Sequence, residues 1–350
     1  MDISPDQRKA CHGLVLILVL SLLVSSCSKV ASLNETAYVV PEKLKLKSST
    51  AQASRVVAEL KSSERVTIVE RANADDGVPW ARVKGGGGEA GWAEARFFVK
   101  ENVVDESRNI ALGIKDTQTQ AVGKSKATLK LRLTPDRLDD SNVATLLPSG
   151  TTLEIVGRER KPKPAALTPE TESDTVATKN SQDGNATIKY DDWLLVRLKD
   201  YAVLPAGWIY GGSVGLEIPP DIIYFVSSGR RITGWQKIAT VPGDDSKSGD
   251  HFLVLERKIF NANEEVDFDR VKVLAYDPAS RNYTTPFREE VQGRYPVRLK
   301  MVGTRGEFQL RVIDKNNQLQ TVIYEIEMLD GGKVKVTQRG KSRENAKRTE

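Results

Sequence analysis

Leu129-Lys130-Leu131-Arg132 repeats Leu44-Lys45-Leu46-Lys47, and this echo decides how the chain is built. In both stretches leucines alternate with cations, the period of a strand with one buried face. The same series then follows in the same order. Val57–Leu60 returns as Val143–Leu146, Val66–Val69 as Leu153-Glu154-Ile155-Val156, Trp80–Val83 as Trp193-Leu194-Leu195-Val196, and Gly91-Trp92-Ala93 as Gly207-Trp208-Ile209. Two tryptophans in one order, flanked by like strands, point to internal duplication. Short strands broken by polar or glycine-rich turns (Lys61–Glu64, Asn73–Gly77, Gly85–Gly88) predict a small barrel in each copy rather than an open sheet. Trp80 and Trp193, in mid-strand, are expected in the core.

The first copy resembles the bacterial SH3 (SH3b) domain, through Leu44, Leu46, Lys47, Val57, Leu60, Val66, Ile68, Trp80, Val83, Gly91 and Trp92. It departs at the first strand, where Lys45-Leu46-Lys47-Ser48-Ser49-Thr50 replaces the family's arginine-serine-glycine corner beside the ligand groove. The resemblance implies two SH3-like barrels, at 38–99 and 127–218, and a ligand class of cell-wall peptide or a protein segment. Tyr38, Trp92, Tyr201 and Trp208 are then the candidate contacts. Trp92 and Trp208 follow glycines at strand starts, where a tryptophan either joins the core or lines a groove.

Residues 100–126 are polar with a weak apolar patch (Ile110, Leu112, Ile114) and read as a linker with room for one short element. Residues 158–189 interrupt the second copy. After Lys161-Pro162-Lys163-Pro164 they are almost wholly small or polar, a composition expected to stay disordered. From Pro219-Pro220 to residue 336 the chain offers seven or eight strand-like runs, among them Ile222–Val226, Phe252–Leu255, Val271–Tyr276 and Val322–Met328. With no convincing helix, an antiparallel β-sandwich or barrel is expected. The whole is therefore all-β, closing in a basic, disordered tail at 337–350.

At the other end, Leu14–Val24 is an unbroken apolar run save Ser21, preceded by Arg8 and Lys9 and followed by Ser25-Ser26-Cys27. It is short for a membrane span, which needs ~20 apolar residues, and has the form of an export signal. An ordinary secretory signal and an uncleaved anchor are the alternatives. The aliphatic-small-small-Cys ending resembles the lipobox of bacterial lipoproteins. That resemblance implies a signal peptide at 1–26, acylation of Cys27, a spacer at 27–37, and a chain held by lipid at the cell envelope. With Ser28 rather than aspartate after the cysteine, it implies the outer membrane or its periplasmic face.

Composition narrows the chemistry. Once Cys11 and His12 leave with the signal, Cys27 and His251 are the last of the two cysteines and two histidines. No disulfide, thiolate catalyst or multi-histidine zinc site can then be built, and no cofactor is expected. The net charge of +5 is concentrated near the C-terminus, and an exported protein rarely meets nucleic acid. Glu265, Asp267 and Asp269, two apart, would share a strand face and could serve glycoside hydrolysis or hold a hard cation; a solvated strand face or turn is the plainer reading. His251 reads as a side chain at the start of a strand rather than a base. Gly85–Gly88 lacks the Lys-Ser/Thr of a phosphate loop and reads as a hairpin tip. The expectation is a non-catalytic envelope protein that binds peptidoglycan stem peptide or an envelope protein. The alternatives are an assembly scaffold using its C-terminal β-domain, and a carboxylate-dependent wall or glycan hydrolase.

Overall fold

The computed structural model describes residues 34–163, 190–242, 248–259 and 266–343. The apolar run, Cys27, most of the spacer and Glu265 lie outside the described residues. The protein is all-β, with three seven-stranded antiparallel sheets, the second curled into a half-barrel. The chain divides into two compact units. One comprises 34–37, Lys43–Leu60 and Glu64–Phe97; the other comprises Tyr38–Glu42, Lys61–Ser63 and the chain from Phe98 onward.

The first sheet takes β1 (Glu35–Val39), β2 (Lys43–Lys47), β3 (Val56–Lys61), β4 (Arg65–Asn73), β5 (Pro79–Lys84), β6 (Ala90–Glu94) and β7 (Phe98–Lys100) in the order β3-β2-β6-β5-β4-β1-β7. The second takes β8 (Ala121–Ser125), β9 (Leu129–Arg132), β10 (Val143–Leu147), β11 (Thr152–Pro162), β12 (Tyr190–Arg197), β13 (Ala206–Tyr210) and β14 (Val214–Leu216) in the order β10-β9-β13-β12-β11-β8-β14. Adding seven to each label of the first order gives the second, so the sequence duplication is a duplication of topology.

Its details repeat as well. Leu44 and Leu46 are buried between exposed Lys43 and Lys45, as the alternation demands, and Leu129 and Leu131 are buried likewise. Trp80 and Trp193 are both core residues. Each copy bulges after its isoleucine, between Ile68 and Glu70 and between Ile155 and Gly157. A Cβ on Gly91 would come within 2.8 Å of the Leu46 Cβ, and one on Gly207 within 2.8 Å of the Arg132 carbonyl oxygen. Glycine is required at both because a neighbouring strand crosses there. One detail corrects the sequence alignment. The buried leucine of β10 is Leu147, whereas Leu146 is exposed, because a register shift between Val143 and Thr145 displaces the alternation.

The segment read as a linker holds helix α1 (Glu101–Gly113) and strand β8. Helix α1 buries only Val104 and Ser107, so its apolar stripe is narrow. Val104 joins the core of the half-barrel, and the Ser107 hydroxyl donates to the Ala206 carbonyl at 2.6 Å. Where the sequence suggested a strand at Ile222–Val226, the chain makes one helical turn, α2 (Pro220–Ile223). Pro220 is suited to the start of a helix because its missing N–H has no partner there in any case. Strand β11 carries the ladder beyond Arg158, pairing Arg158–Pro162 with residues 190–194, before the chain leaves the described residues at 164.

The third sheet is a meander in which every strand lies beside its sequence neighbour: β15 (Arg230–Val241), β16 (Gly249–Lys258), β17 (Phe268–Asp277), β18 (Asn282–Val302), β19 (Arg305–Ile313), β20 (Leu319–Met328) and β21 (Val334–Arg343). Val271, Val273, Val297, Leu310 and Ile326 share one core cluster with Phe308 and Tyr324, whose rings stack at 4.8 Å. Ile222, Ile232, Phe252, Val254 and Leu274 form a separate cluster, against which Phe225 and Trp235 pack. The stretch read as a tail from 337 is strand as far as Arg343, pairing with β20. Exposed Lys335, Arg339 and Lys341 suit an edge, where like charge deters pairing with another chain.

Candidate functional site

Within the larger unit, two glutamines stitch the half-barrel to the third sheet. Strand β17 pairs with β18 only as far as Gly293, which leaves the backbone of Val297 and Leu299 open on that side. The Gln120 amide fills one opening: its Nε2 donates to the Val297 carbonyl at 3.0 Å, and its Oε1 accepts the Val297 N–H at 2.8 Å. Gln118 does the same at Leu299, at 2.6 Å in both directions. The Gln120 carbonyl also accepts the Trp235 N–H at 2.8 Å. These side chains stand in for a missing strand, and the Val297 carbonyl accepts a second donor, Gln236 Nε2 at 3.0 Å, so the backbone groups along this edge are satisfied.

Beside this seam lies a cleft of about 470 Å³, lined by both sheets. An ion-pair chain runs through its lining at Arg158, Asp192 and Asp267. The Arg158 Nη1 donates to Asp267 Oδ1 at 2.8 Å and its Nη2 to Asp192 Oδ1 at 2.6 Å, while Arg160 Nε reaches the same Asp192 oxygen at 2.7 Å. The other Asp267 oxygen accepts the Tyr295 N–H at 2.8 Å, and the Tyr295 hydroxyl donates to the Thr233 carbonyl at 2.7 Å. Burial alone would disfavour the Arg158 charge, but Asp267 and Asp192 outweigh it and hold the guanidinium above its ordinary pKa. Arg257 experiences the reverse. Burial, and then repulsion from Arg158, Arg160 and Arg231, push it down to about 10, still charged at neutral pH. Arg231 and Lys126 complete the cationic wall, and Ile155, Leu194, Leu216 and Ile232 the apolar one.

The acids singled out in the sequence are thus not on a solvated face. Asp267 and Asp269 are 8% and 9% exposed. Asp269 is paired with Arg230 and accepts the Lys258 N–H at 3.0 Å. The expectation fails because the arginine partners come from elsewhere in the sequence, Arg158 lying 109 positions from Asp267. His251 is buried in β16, where its Nδ1 accepts the Tyr276 N–H at 2.9 Å; burial holds it below the ordinary histidine range. Gly85–Gly88 forms the tip between β5 and β6, closed by the Gly88 N–H on the Gly85 carbonyl at 3.2 Å.

The four aromatic candidates are half-buried and are not brought together in this cleft. Tyr38 donates to Glu101 Oε1 at 3.3 Å beneath the Arg108 guanidinium, and Tyr201 packs on the half-barrel core. Trp92 on β6 sits in register with Lys47 and Arg82, and Trp208 on β13 in register with Arg132 and Leu195. Sequence reasoning missed Arg158, Arg160, Arg231, Arg257 and both glutamines. The one local signal was Arg158-Glu159-Arg160, whose alternation puts both arginines on a single strand face.

Among the described residues no group of histidines, cysteines and carboxylates is arranged to hold a metal ion. No described helix is long and apolar enough to cross a membrane. No family model matches this chain, and no curated protein matches it.

Proposed function

We propose that this is a non-catalytic protein held at the cell envelope by lipid on Cys27, whose two repeated sheets are SH3-like modules that bind a cell-wall peptide or a protein partner. The observation that carries the reading is the commitment of Asp267, Asp269 and His251 to structural bonds. An inverting or retaining glycosidase needs two carboxyl groups facing one bond, one of them free to give up a proton. Here both carboxylates are engaged by guanidinium groups, Asp267 by Arg158 and Asp269 by Arg230, rather than turned together toward an open substrate. The repeated strand order supports a pair of like modules, and two linked modules gain avidity when both engage one polymer. The ligand class follows from the SH3b resemblance and the address from the lipobox.

The test uses full-length chain in detergent, sedimented with purified peptidoglycan. Retention is expected for the parent and a severalfold loss for Trp92→Ala and for Trp208→Ala, with the larger loss in the double variant. Retention indifferent to both changes rules out these contacts. Cells fed a fatty-acid analogue should label the parent and leave Cys27→Ser unlabelled.

A further inference from the structure

We propose that a second cleft between the half-barrel and the third sheet binds the backbone amide of a short peptide, and that Gln236 recognises it. The cleft holds about 590 Å³ and is lined by Ala121 and Val122 of β8, Trp235 and Gln236 of β15, Phe252 of β16 and Leu299 of β18. Gln236 is only 8% exposed. Its Nε2 donates to the Val297 carbonyl at 3.0 Å, and that carbonyl fixes which end of the amide faces it, since an oxygen there would be repelled. Oε1 is therefore the end left over, a buried acceptor with no hydrogen-bond partner among the described residues. Buried acceptors are nearly always paired, because a bare one forfeits the bond it made to water in the unfolded chain. This bare acceptor belongs to a residue that lines a cavity.

The seam leaves this side chain free to turn. The Val297 carbonyl is also held by Gln120 Nε2 at 3.0 Å, so it stays paired when Gln236 swings into the cleft. The two neighbouring glutamines show what such an amide can grip. Gln120 pairs with the N–H and carbonyl of Val297, and Gln118 with those of Leu299. Gln118 also lines the cleft, but both its ends are occupied, whereas Gln236 has its acceptor to spare. The charged groups of the lining are committed as well. Glu154 meets Arg197 at 3.2 Å and Lys199 at 2.5 Å, and Lys237 meets Asp250 at 3.4 Å. A carboxylate or phosphate would bring Oε1 no donor; a peptide N–H does. Half-buried Trp235 and buried Phe252 supply apolar walls that cover a guest's side chain and exclude competing water. The site shares no residue with the Trp92 and Trp208 contacts, so it stands or falls independently of wall retention through them.

The experiment is an NMR titration of full-length chain in detergent, isotope-labelled at the tryptophan indoles, with the signal of Trp235 identified through Trp235→Phe. The probes are N-acetylalanine dimethylamide and O-acetyllactate dimethylamide, in which an ester oxygen replaces the one N–H. The amide is expected to shift the Trp235 signal saturably, and the ester to bind severalfold more weakly. Gln236→Leu removes the acceptor while the Val297 carbonyl keeps Gln120, and should lower the amide's affinity to that of the ester. The comparison of the two probes on the parent chain needs no variant, so it decides the matter even if Gln236→Leu does not fold. A single trapped water that satisfies Oε1 predicts equal affinities for amide and ester. That result, shifts confined to the other tryptophans, no shift up to the solubility limit, or an unchanged affinity in folded Gln236→Leu each overturns the proposal.

Discussion

The two repeated sheets share a strand order, a bulge, a buried tryptophan and a crossing glycine, yet one arginine has opposite surroundings in them. Arg71 on β4 and Arg158 on β11 stand the same distance past the bulged Ile68 and Ile155. Arg71 meets Glu35 at 2.8 Å, with the two side chains 39% and 25% exposed. Arg158 meets Asp267 at the same 2.8 Å, with side chains only 8% and 10% exposed. Distance alone would rank the pairs as equals. What separates them is water: the first pair can be replaced by hydration at little cost, whereas the second cannot. Topology therefore passed from one copy to the other, while the energetic role of a position was set later by what came to cover it.

The comparison breaks most easily at that pair. Arg158→Ala leaves Asp267 buried without its guanidinium and should cost about 3–5 kcal/mol, read from the denaturant midpoint of the full chain. Arg71→Ala should cost about 1 kcal/mol or less. Equal losses would mean that burial does not distinguish the copies. A smaller effect tests where they agree. Gly91→Ala and Gly207→Ala each force a methyl against a crossing strand and should each cost about 1–3 kcal/mol. A harmless change in one copy alone would show that the shared crossing is not equally tight.

The smallest expected effect belongs to the third sheet, which holds the one histidine among the described residues. Burial lowers the His251 pKa, against the opposing charge of Asp250, so the folded state prefers the neutral ring. Its contribution is complete above the unfolded value of about 6.5 and is lost as pH falls through the lower folded value. His251→Asn can keep an acceptor for the Tyr276 N–H while removing the proton uptake. The denaturation midpoint of the parent should fall more steeply than that of the variant between about pH 7 and 5. Parallel slopes would remove His251 as the cause.

What the sequence made legible were features carried by near neighbours. Leu44 and Leu46 announce a half-buried strand because the alternation is local, and the duplication is visible because both copies keep tryptophan where bulk is needed. Asp267 looked solvent-facing because its neighbours say nothing of Arg158 on a strand from another sheet. Gln118 and Gln120 looked like linker polarity because their role depends on where β17 stops pairing with β18. Helix α1 was hidden by its thin buried stripe, Val104 and Ser107, inside an otherwise polar surface. Local patterns thus revealed the strands, and the candidate cleft, assembled from both sheets, had no local pattern to reveal it.

One feature of the second copy bears on its evolution. Pro162 and Tyr190 are register partners at the far end of the β11–β12 ladder, so the residues between them begin and end one strand spacing apart. The ladder therefore holds the two ends of that stretch together at Pro162 and Tyr190, and joining ends held this close costs about 0.6 kcal/mol more for each doubling of the length between them. Drift in length or composition there is cheap for the host fold. The same geometry makes the site a natural port for a reporter or a grafted epitope.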